Sequence, residues 1–425
     1  MLNQNFILQN IKQVKEACRQ KNIDPNVVDE FIRYDGERKK LLAKIEELRA
    51  RRNKLNQDLK IKPDKKTIAE GRKLKEDISK LEDNLQKTET KRHEAWLYIP
   101  NIPSADTPTG DKEEDKLIVR QWGKLPVFSF NAKDHLQLGE NLGLIDLLSG
   151  AKTAGFRGYY LAKDAVLLDQ AVLQYALKKL YDKGFTPFIP PTLCKKQSFI
   201  NTGHFPWGEK EAYKIQDEKG EDLYLAGTSE VGMISLLQGR TLRKSNLPLK
   251  YVALSSCFRR EIGSYGKDTR GLYRVHEFKK VEQLIFCQAD SNESDSFFEE
   301  LVKNAEEILQ DLELPYRVCQ MPSGDMGEPQ YKKYDIETWM PSRNSYGETM
   351  SCSQMLDFQA RRANIKYKDE KGEKRFVYTL NNTAVASPRI LIALLEVYQQ
   401  KDGSIKIPKR LQPFMGKDKI AKPIF

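Results

Sequence analysis

Two runs of apolar residues at alternating spacings of three and four dominate the first hundred residues, and no other feature limits the fold as strongly. Phe31, Tyr34, Arg38, Leu41, Ile45, Leu48, Arg52, Leu55 and Leu59 form the first run; Leu74, Ile78, Leu81, Leu85, Thr88, Arg92 and Ala95 form the second. A 3.5-residue period is that of a coiled-coil seam. Asp24 and Pro25 supply a helix start ahead of the first run, since proline costs little where the first N–H lacks a partner. Between the runs, Lys60 to Lys66 carries Pro63 among charges, which marks a turn. Two helices of about 28 residues joined in this way fold back as an antiparallel hairpin with arms ~42 Å long. Residues 1 to 23 read as one short helix preceding it.

The far end of the hairpin is basic. From Arg38 to Lys66 there are twelve Lys or Arg against four Asp or Glu. Such a run is either a solvated coiled-coil face or a phosphate-binding arm. Arg38 and Arg52 fall in seam positions, which weakens the seam and argues against assembly into a long bundle.

From Ile99 to Asp111 the chain carries three prolines and a glycine, then an acidic cluster. This is its best domain boundary, dividing residues 1–100 from 101–425. Beyond it, residues 164 to 183 have helical spacing and stop at Lys183-Gly184. Strand-like runs follow at 185–191, 223–226, 249–258, 272–287, 315–321, 333–339, 349–358 and 376–381, with helices at 230–238, 293–312 and 388–400. Many strands joined by turns predict an α+β class: a mostly antiparallel sheet flanked by helices, preceded by an all-α antiparallel coiled-coil arm.

Several classes are excluded. No run of about 18 apolar residues occurs, so no membrane span is expected. The N-terminus lacks the basic stretch and apolar core of a signal peptide, and a cytoplasmic protein is expected. Cys18, Cys194, Cys257, Cys287, Cys319 and Cys352 form no CxxC pair and have no histidine at ligand spacing, which predicts reduced thiols and no zinc. Lys and Arg exceed Asp and Glu by 71 to 60, a net +11 that matters where the cations cluster.

Chemistry concentrates between Cys257 and Glu282. An apolar strand enters with Arg259 and Glu261 at alternate positions, which on a period-two strand share a face. A glycine-rich basic loop, 263 to 271, follows, and a second strand returns with Val275, Phe278 and Glu282. Singly, the Arg and Glu read as an ion pair and Phe278 as core. Together they offer a guanidinium, carboxylates, an aromatic plane and a cationic loop.

Cys257-Phe-Arg-Arg-Glu-Ile-Gly-Ser-Tyr-Gly-Lys-Asp-Thr-Arg-Gly271 resembles motif 2 of class II aminoacyl-tRNA synthetases, the seryl subgroup in particular. Residues 164 to 191 resemble motif 1, the homodimer segment of that family. Ser387-Pro-Arg389 with the apolar helix after it resembles motif 3. Gly227-Thr-Ser-Glu230, Glu348-Thr-Met-Ser-Cys-Ser353 and Asp357-Phe-Gln-Ala-Arg-Arg362 are similar to further seryl hallmarks, and the basic hairpin is similar to the seryl tRNA-binding arm. The match is collinear over nearly the whole chain. It departs from the pattern where 383–389 lacks the usual motif 3 glycines, where Gly347 replaces a frequent Arg, and where Ser229 replaces a frequent Ala.

The resemblance implies a serine–tRNA ligase that uses ATP with Mg²⁺ and serves tRNA(Ser), and tRNA(Sec) in hosts that have it. It implies serine binding by Thr228, Ser229, Glu230, Arg259, Glu282 and Thr383. It implies ATP binding by Arg259, Arg260, Glu261, Val275, Phe278, Glu348, Thr349, Met350, Ser351 and Arg389, with Glu348 and Ser351 as Mg²⁺ ligands. tRNA would meet Arg38, Lys44, Arg51, Arg52 and Lys54 on the arm and Lys267 and Arg270 on the loop. On residues alone, Thr383 reads equally as a satisfied turn hydroxyl in Asn381-Asn-Thr383, His276 as structural, and Cys257 and Cys352 as packing. Two rival readings fit less well. A ligase loading another carrier would lack the arm, and a non-catalytic paralogue would have lost Arg259, Glu348 or Arg389.

Overall fold

The structure is a computed structural model that describes residues 1–61, 65–216, 220–262 and 271–422. It divides into two compact units, Met1–Ile102 and Pro103–Phe425.

The first unit is all helix: α1 (Gln4–Gln9), α2 (Ile11–Gln20), α3 (Asn26–Ile61) and α4 (Lys65–Leu97). The single helix expected over residues 1 to 23 is two. Asn10 leaves the helical region at φ −126°, and its backbone and side-chain N–H groups both donate to the Phe6 carbonyl, ending α1. Asp24 starts α3 as expected, accepting from the Asn26 N–H at 2.9 Å. Helices α3 and α4 have 36 and 33 residues, longer than expected, because α3 begins a turn and a half before the first seam residue. They pack against each other along the expected seam, with Phe31, Ile45, Leu74, Ile78 and Ala95 buried in it.

Two of the seam cations, Arg92 and Arg38, are matched by carboxylates, and the neighbouring Arg49 and Arg51 are paired as well. The buried carboxylate of Asp35 receives Arg92 Nε at 2.8 Å, and the same guanidinium donates to Gln4 and lies over Phe31. Arg38 reaches Glu89 at 2.9 Å, Arg49 reaches Glu82, and Arg51 pairs with Glu70.

The second unit holds, in chain order, β1 (Leu117–Trp122), α5 (His135–Leu142), β2 (Ile145–Asp146), α6 (Leu147–Ala154), β3 (Tyr160–Leu161), α7 (Asp164–Asp182), β4 (Thr186–Phe188), β5 (Leu193–Lys195), α8 (Lys196–Thr202), β6 (Tyr213–Gln216) and β7 (Asp222–Leu225). It continues with α9 (Glu230–Leu236), β8 (Thr241–Arg243), β9 (Leu249–Phe258), β10 (Glu277–Cys287), α10 (Ser291–Asp311), β11 (Tyr316–Gln320), β12 (Lys332–Met340), β13 (Ser345–Leu356), α11 (Phe358–Ala363), β14 (Lys366–Lys368), β15 (Lys374–Phe376), β16 (Tyr378–Ser387) and α12 (Arg389–Val397). One eight-stranded sheet organises it, in the order β1-β11-β12-β13-β16-β10-β9-β4, antiparallel except for the β4–β9 pair. The short helices α5, α6, α8 and α11 had no counterpart in the sequence reading; at six to eight residues they present too few turns for a periodic signal.

Alternation along the strands separates core from site. On β10, Val281, Ile285 and Cys287 join the core with Leu168 and Leu173 of α7, Leu301 and Ile308 of α10, and Leu391 and Leu395 of α12. Phe278, Lys280 and Glu282, of opposite parity, face the other side. Helices therefore fill one face of the sheet, while part of the other is left for polar side chains.

The Asp35–Arg92 pair sets a stability test for the first unit. Burial pushes the Asp35 carboxyl up, but Lys39 and Arg92 outweigh it and hold the group below the ordinary range. A lowered folded pKa stabilises fully above the unfolded value of about 4, and this is lost as pH falls through the folded value. Asp35→Ala strands a half-buried guanidinium and is expected to cost roughly 3 kcal/mol at pH 7. Thermal melts followed by helix ellipticity should show that difference shrinking below about pH 4.

Candidate active site

Two cavities open on the polar face of the sheet, of about 530 and 330 Å³. Arg259, Glu261, Arg274, Lys280, Gln330 and Ser351 line both, so the two adjoin. Arg259, Glu348 and Arg389, which the sequence scatters over 130 positions, all line the smaller one.

Arg259 is not on a strand. β9 ends at Phe258, and Glu261 has φ +53°, so the expected period-two alternation does not place these side chains. A main-chain clip does. Arg259 N donates to the His276 carbonyl at 3.0 Å, and His276 Nδ1 donates to the Arg259 carbonyl at 3.0 Å. His276 is thus structural, and a carbonyl partner fixes its Nδ1 as the protonated nitrogen. The Arg259 guanidinium bonds the Gly227 carbonyl at 3.3 Å and lies 5.3 Å over the Phe278 ring. Glu261 does form an ion pair, with Arg274 at 3.1 Å and Arg157 at 3.8 Å. Arg260 turns away, bonding the main chain of Lys210 and Glu211, and lines neither cavity. Val275 lies ahead of the returning strand, which begins at Glu277 rather than 272, yet it lines the smaller cavity with Phe278.

A bulge in β13 brings Glu348 and Ser351 together. The register to β12 slips where Met350 opposes Ile336 and Glu348 opposes Glu337. The extra residue breaks alternation, so two residues three apart line one cavity. Thr349 and Met350 also border it, but the Thr349 hydroxyl bonds Thr338 and the Met350 side chain lies in the core. Arg389 opens α12 and donates from Nε to the Tyr273 carbonyl at 3.1 Å and from Nη1 to the Glu348 carbonyl at 3.0 Å. The Tyr273 ring is flanked by Arg389 at 4.4 Å and Arg343 at 4.1 Å. Burial pushes the Glu348 carboxyl up, but Arg389, Lys333, Arg259 and Arg274 outweigh it and hold it below the usual range. It is therefore an anion at neutral pH.

The larger cavity holds Thr228, Glu230 and Glu282. Thr383 is in strand β16, not a turn, and its hydroxyl donates to Glu282 at 3.0 Å. Ser229 lines neither cavity, and its buried hydroxyl has no partner among the described residues. Burial raises the carboxyls of Glu230 and Glu282. Burial also pushes His204, on the same wall, down to about 4, with Arg259 and Lys280 adding to the effect.

Sequence reasoning overlooked four side chains here. Lys280 pairs with Glu282 at 2.7 Å, and its place between Phe278 and Glu282 at the period of a strand was the available signal for it. Gln359 donates to Glu230. Tyr273 braces Arg389, and His135 accepts the Leu272 N–H at 3.3 Å. At Gly271, φ is +90° and a Cβ would meet His135 Nε2 at 2.3 Å, so that position admits only glycine. Lys267, Arg270 and the rest of 263–270 lie outside the described residues.

Known proteins supply the remaining comparison. Residues 1–103 match the seryl-tRNA synthetase N-terminal domain, and residues 213–398 match the class II tRNA synthetase core domain (G, H, P, S and T). A serine–tRNA ligase of Deinococcus radiodurans is 43% identical over 429 residues, covering 100% of both chains. The chain belongs to the seryl-tRNA synthetase family. The crystal structure of seryl-tRNA synthetase from Pyrococcus horikoshii complexed with ATP superposes with a TM-score of 0.92 at 36% identity, over 99% of this chain and 100% of that one. That of cytoplasmic serine–tRNA ligase from Naegleria fowleri in complex with AMP gives 0.85 at 31%, over 97% and 96%.

Within this family member, the thiols beside the site are packing residues. All six cysteines are buried, and burial raises the Cys257 and Cys352 thiols. Native protein at pH 8 is expected to react with less than about one equivalent of an aromatic disulfide reagent, and unfolded protein with all six thiols.

Proposed function

We propose that the chain activates L-serine with ATP and transfers it to the 3′ end of tRNA(Ser), and of tRNA(Sec) where the host has one. The observation that carries this is the junction of the two cavities. The smaller cavity, with two arginines and an anionic glutamate, suits the phosphates of a nucleotide, and it adjoins the larger cavity, whose acidic and hydroxylic side chains suit an amino acid.

In the first step a serine carboxylate oxygen bonds to the α-phosphorus of ATP and the bond to pyrophosphate breaks. In the second a terminal hydroxyl of tRNA attacks the acyl carbon, and AMP leaves with the bonding pair. Both steps gather charge on oxygen, so preorganised cations and positioning supply the catalysis. Arg259, in both walls, holds the serine carboxylate and the α-phosphate, since its planar fork binds oxyanions in pairs. Arg389 holds the γ-phosphate and covers adenine opposite Phe278, with Val275 at the ring's edge. Glu261 is the candidate for the adenine amino group, while Arg260, turned aside onto the main chain of Lys210 and Glu211, is given no part in holding ATP. Thr228 and Glu230 take the serine ammonium, and Glu282 and Thr383 take its hydroxyl. A site built for a hydroxyl rejects alanine because buried groups would go unpaired.

Glu348 and Ser351 fit Mg²⁺. They present an ionised carboxylate and a hydroxyl, hard oxygen donors, in one cavity. Among the described residues no cluster of three His, Cys, Asp or Glu could hold a metal, which suits an ion bound by one carboxylate together with substrate phosphates. When bound, Mg²⁺ neutralises the phosphates of ATP.

The N-terminal hairpin is the proposed tRNA arm. Lys54 is exposed, Arg52 is half-buried, and Arg38, Lys44 and Arg51 keep part of their side chains exposed while paired with acids. A second copy of the chain is the proposed partner of the motif 1 segment, where Val166, Leu167, Tyr181 and Ile189 are exposed. Among the described residues no helix is long and apolar enough to cross a membrane. A cytoplasmic location is proposed on the free thiols.

Pyrophosphate exchange measured with each of the twenty amino acids tests the central reading. Serine should drive exchange at least about a hundredfold better than alanine, and equal exchange with both would overturn the assignment. Deleting residues 35 to 92 should leave serine-dependent exchange within about threefold while charging falls by more than about a thousandfold. Loss of exchange in a folded deletion variant would refute this division of labour.

A further inference from the structure

We propose that Lys280 reads the serine hydroxyl together with Glu282, the lysine donating to the substrate oxygen while the glutamate accepts its proton. This rests on the serine-binding reading of the larger cavity and adds a residue to it.

The geometry is a closed ring of three side chains. Lys280 Nζ lies 2.7 Å from Glu282 Oε2 and 3.4 Å from Thr383 Oγ1, and Thr383 Oγ1 donates to the same Glu282 oxygen at 3.0 Å. The Lys280 and Glu282 side chains are only 7% and 3% exposed. A lysine buried this deeply is costly unless its charge is used or compensated. An ammonium has three hydrogens; Glu282 and Thr383 take one each among the described residues, leaving one for a ligand. Thr383 has spent its only hydrogen on Glu282, so it offers a substrate hydroxyl nothing but an acceptor. Lys280 is thus the donor in this ring, and it lines both cavities, at the junction where an acyl-adenylate would lie.

The ammonium also governs the charge of Glu282. The groups facing that carboxylate are Lys280 on its own strand, Thr383 on β16, Glu230 on α9, Cys257 on β9 and Cys352 on β13; Arg259 and His204 stand beyond Lys280 on the same wall. Burial and the like charge of Glu230 favour the protonated form, and Lys280 is the largest opposing influence. A protonated Glu282 is a poorer acceptor for a hydroxyl, so removing the lysine should weaken serine recognition most at low pH.

The test uses the full-length protein in serine-dependent pyrophosphate exchange. K280M keeps the length of the side chain and deletes its charge. It is expected to raise KM for serine by about a hundredfold and KM for ATP by less than about threefold. The acidic limb of kcat/KM for serine should move to higher pH, and the preference for serine over alanine should fall. K280R, the conservative variant, should leave the acidic limb in place yet raise KM for serine about tenfold, because a planar fork replaces a compact ammonium. If K280M does not fold, K280R decides, and an unchanged KM for serine overturns the proposal. In folded K280M, an unchanged KM and acidic limb, or a parallel loss for ATP and serine, overturns it too. Wild-type protein without serine-dependent exchange would instead overturn the function beneath it.

Discussion

The site depends on pairing charges that the sheet and its loops withdraw wholly or in part from water. Helices cover one face of the eight-stranded sheet, and part of the opposite face carries Lys280 with Glu282, Arg389 with Glu348 and Arg274 with Glu261 at 2.7, 3.5 and 3.1 Å. A buried ion without a partner costs several kcal/mol, and a paired one can still cost more than its Coulomb gain. These pairs are thus weak grounds for stability and better explained by what they hold ready. In the proposed function, each would place a cation for a substrate anion, or a carboxylate for a substrate donor. The strands fix them through register: the bulge at β12–β13 sets Glu348 beside Ser351, and the unbroken β9–β10 register sets Lys280 and Glu282 on one face.

The first unit uses the same device for another end. A coiled-coil seam interrupted by arginine is weakened, and a carboxylate beside a guanidinium offsets part of that cost. Arg92 with Asp35 and Arg38 with Glu89 are spaced by more than fifty residues in sequence and meet only when the hairpin closes. Such pairs specify register more than they add stability. A seam repeating strictly every seven residues would serve a long bundle; one keyed by specific ion pairs suits a single hairpin.

How much was legible in the sequence follows from how local each signal is. The hairpin could be read because its period repeats over seven or more positions in each arm. The antiparallel sheet could be read from runs of strand-forming residues, while of the second unit's helices of six to eight residues only α9 left a readable pattern. At the site, alternation was applied past the end of the strand for Arg259 and Glu261, since β9 ends at Phe258. Both still reach the cavity wall, Arg259 by its clip to His276 and Glu261 by its tie to Arg274. Tyr273 and His135 were illegible for a different reason: each acts through a main-chain atom, and no side-chain pattern encodes a carbonyl or an N–H. Ser229 shows the reverse, a residue inside a well-matched motif whose side chain lines neither cavity.

Arg389 shows why the illegible part matters to catalysis. Two of its five N–H donors are committed to the carbonyls of Tyr273 and Glu348, which fix the plane of the guanidinium. Tyr273 stacks on that plane, and Tyr273 is itself held at its base, since its neighbour Leu272 donates to His135 and His135 to the buried Glu396. An arginine free to rotate would lose rotamer entropy on meeting phosphate, about 2 kcal/mol for the side chain. One already oriented by main chain and aromatic ring loses little, so in the role proposed for Arg389 more of its interaction would be available to oppose the charge that grows as pyrophosphate departs. The motif arginine is thus the visible end of a rigid chain of contacts running back through Tyr273 and Leu272 to His135 and Glu396. Its usefulness to the reaction is set by residues that never approach the substrate.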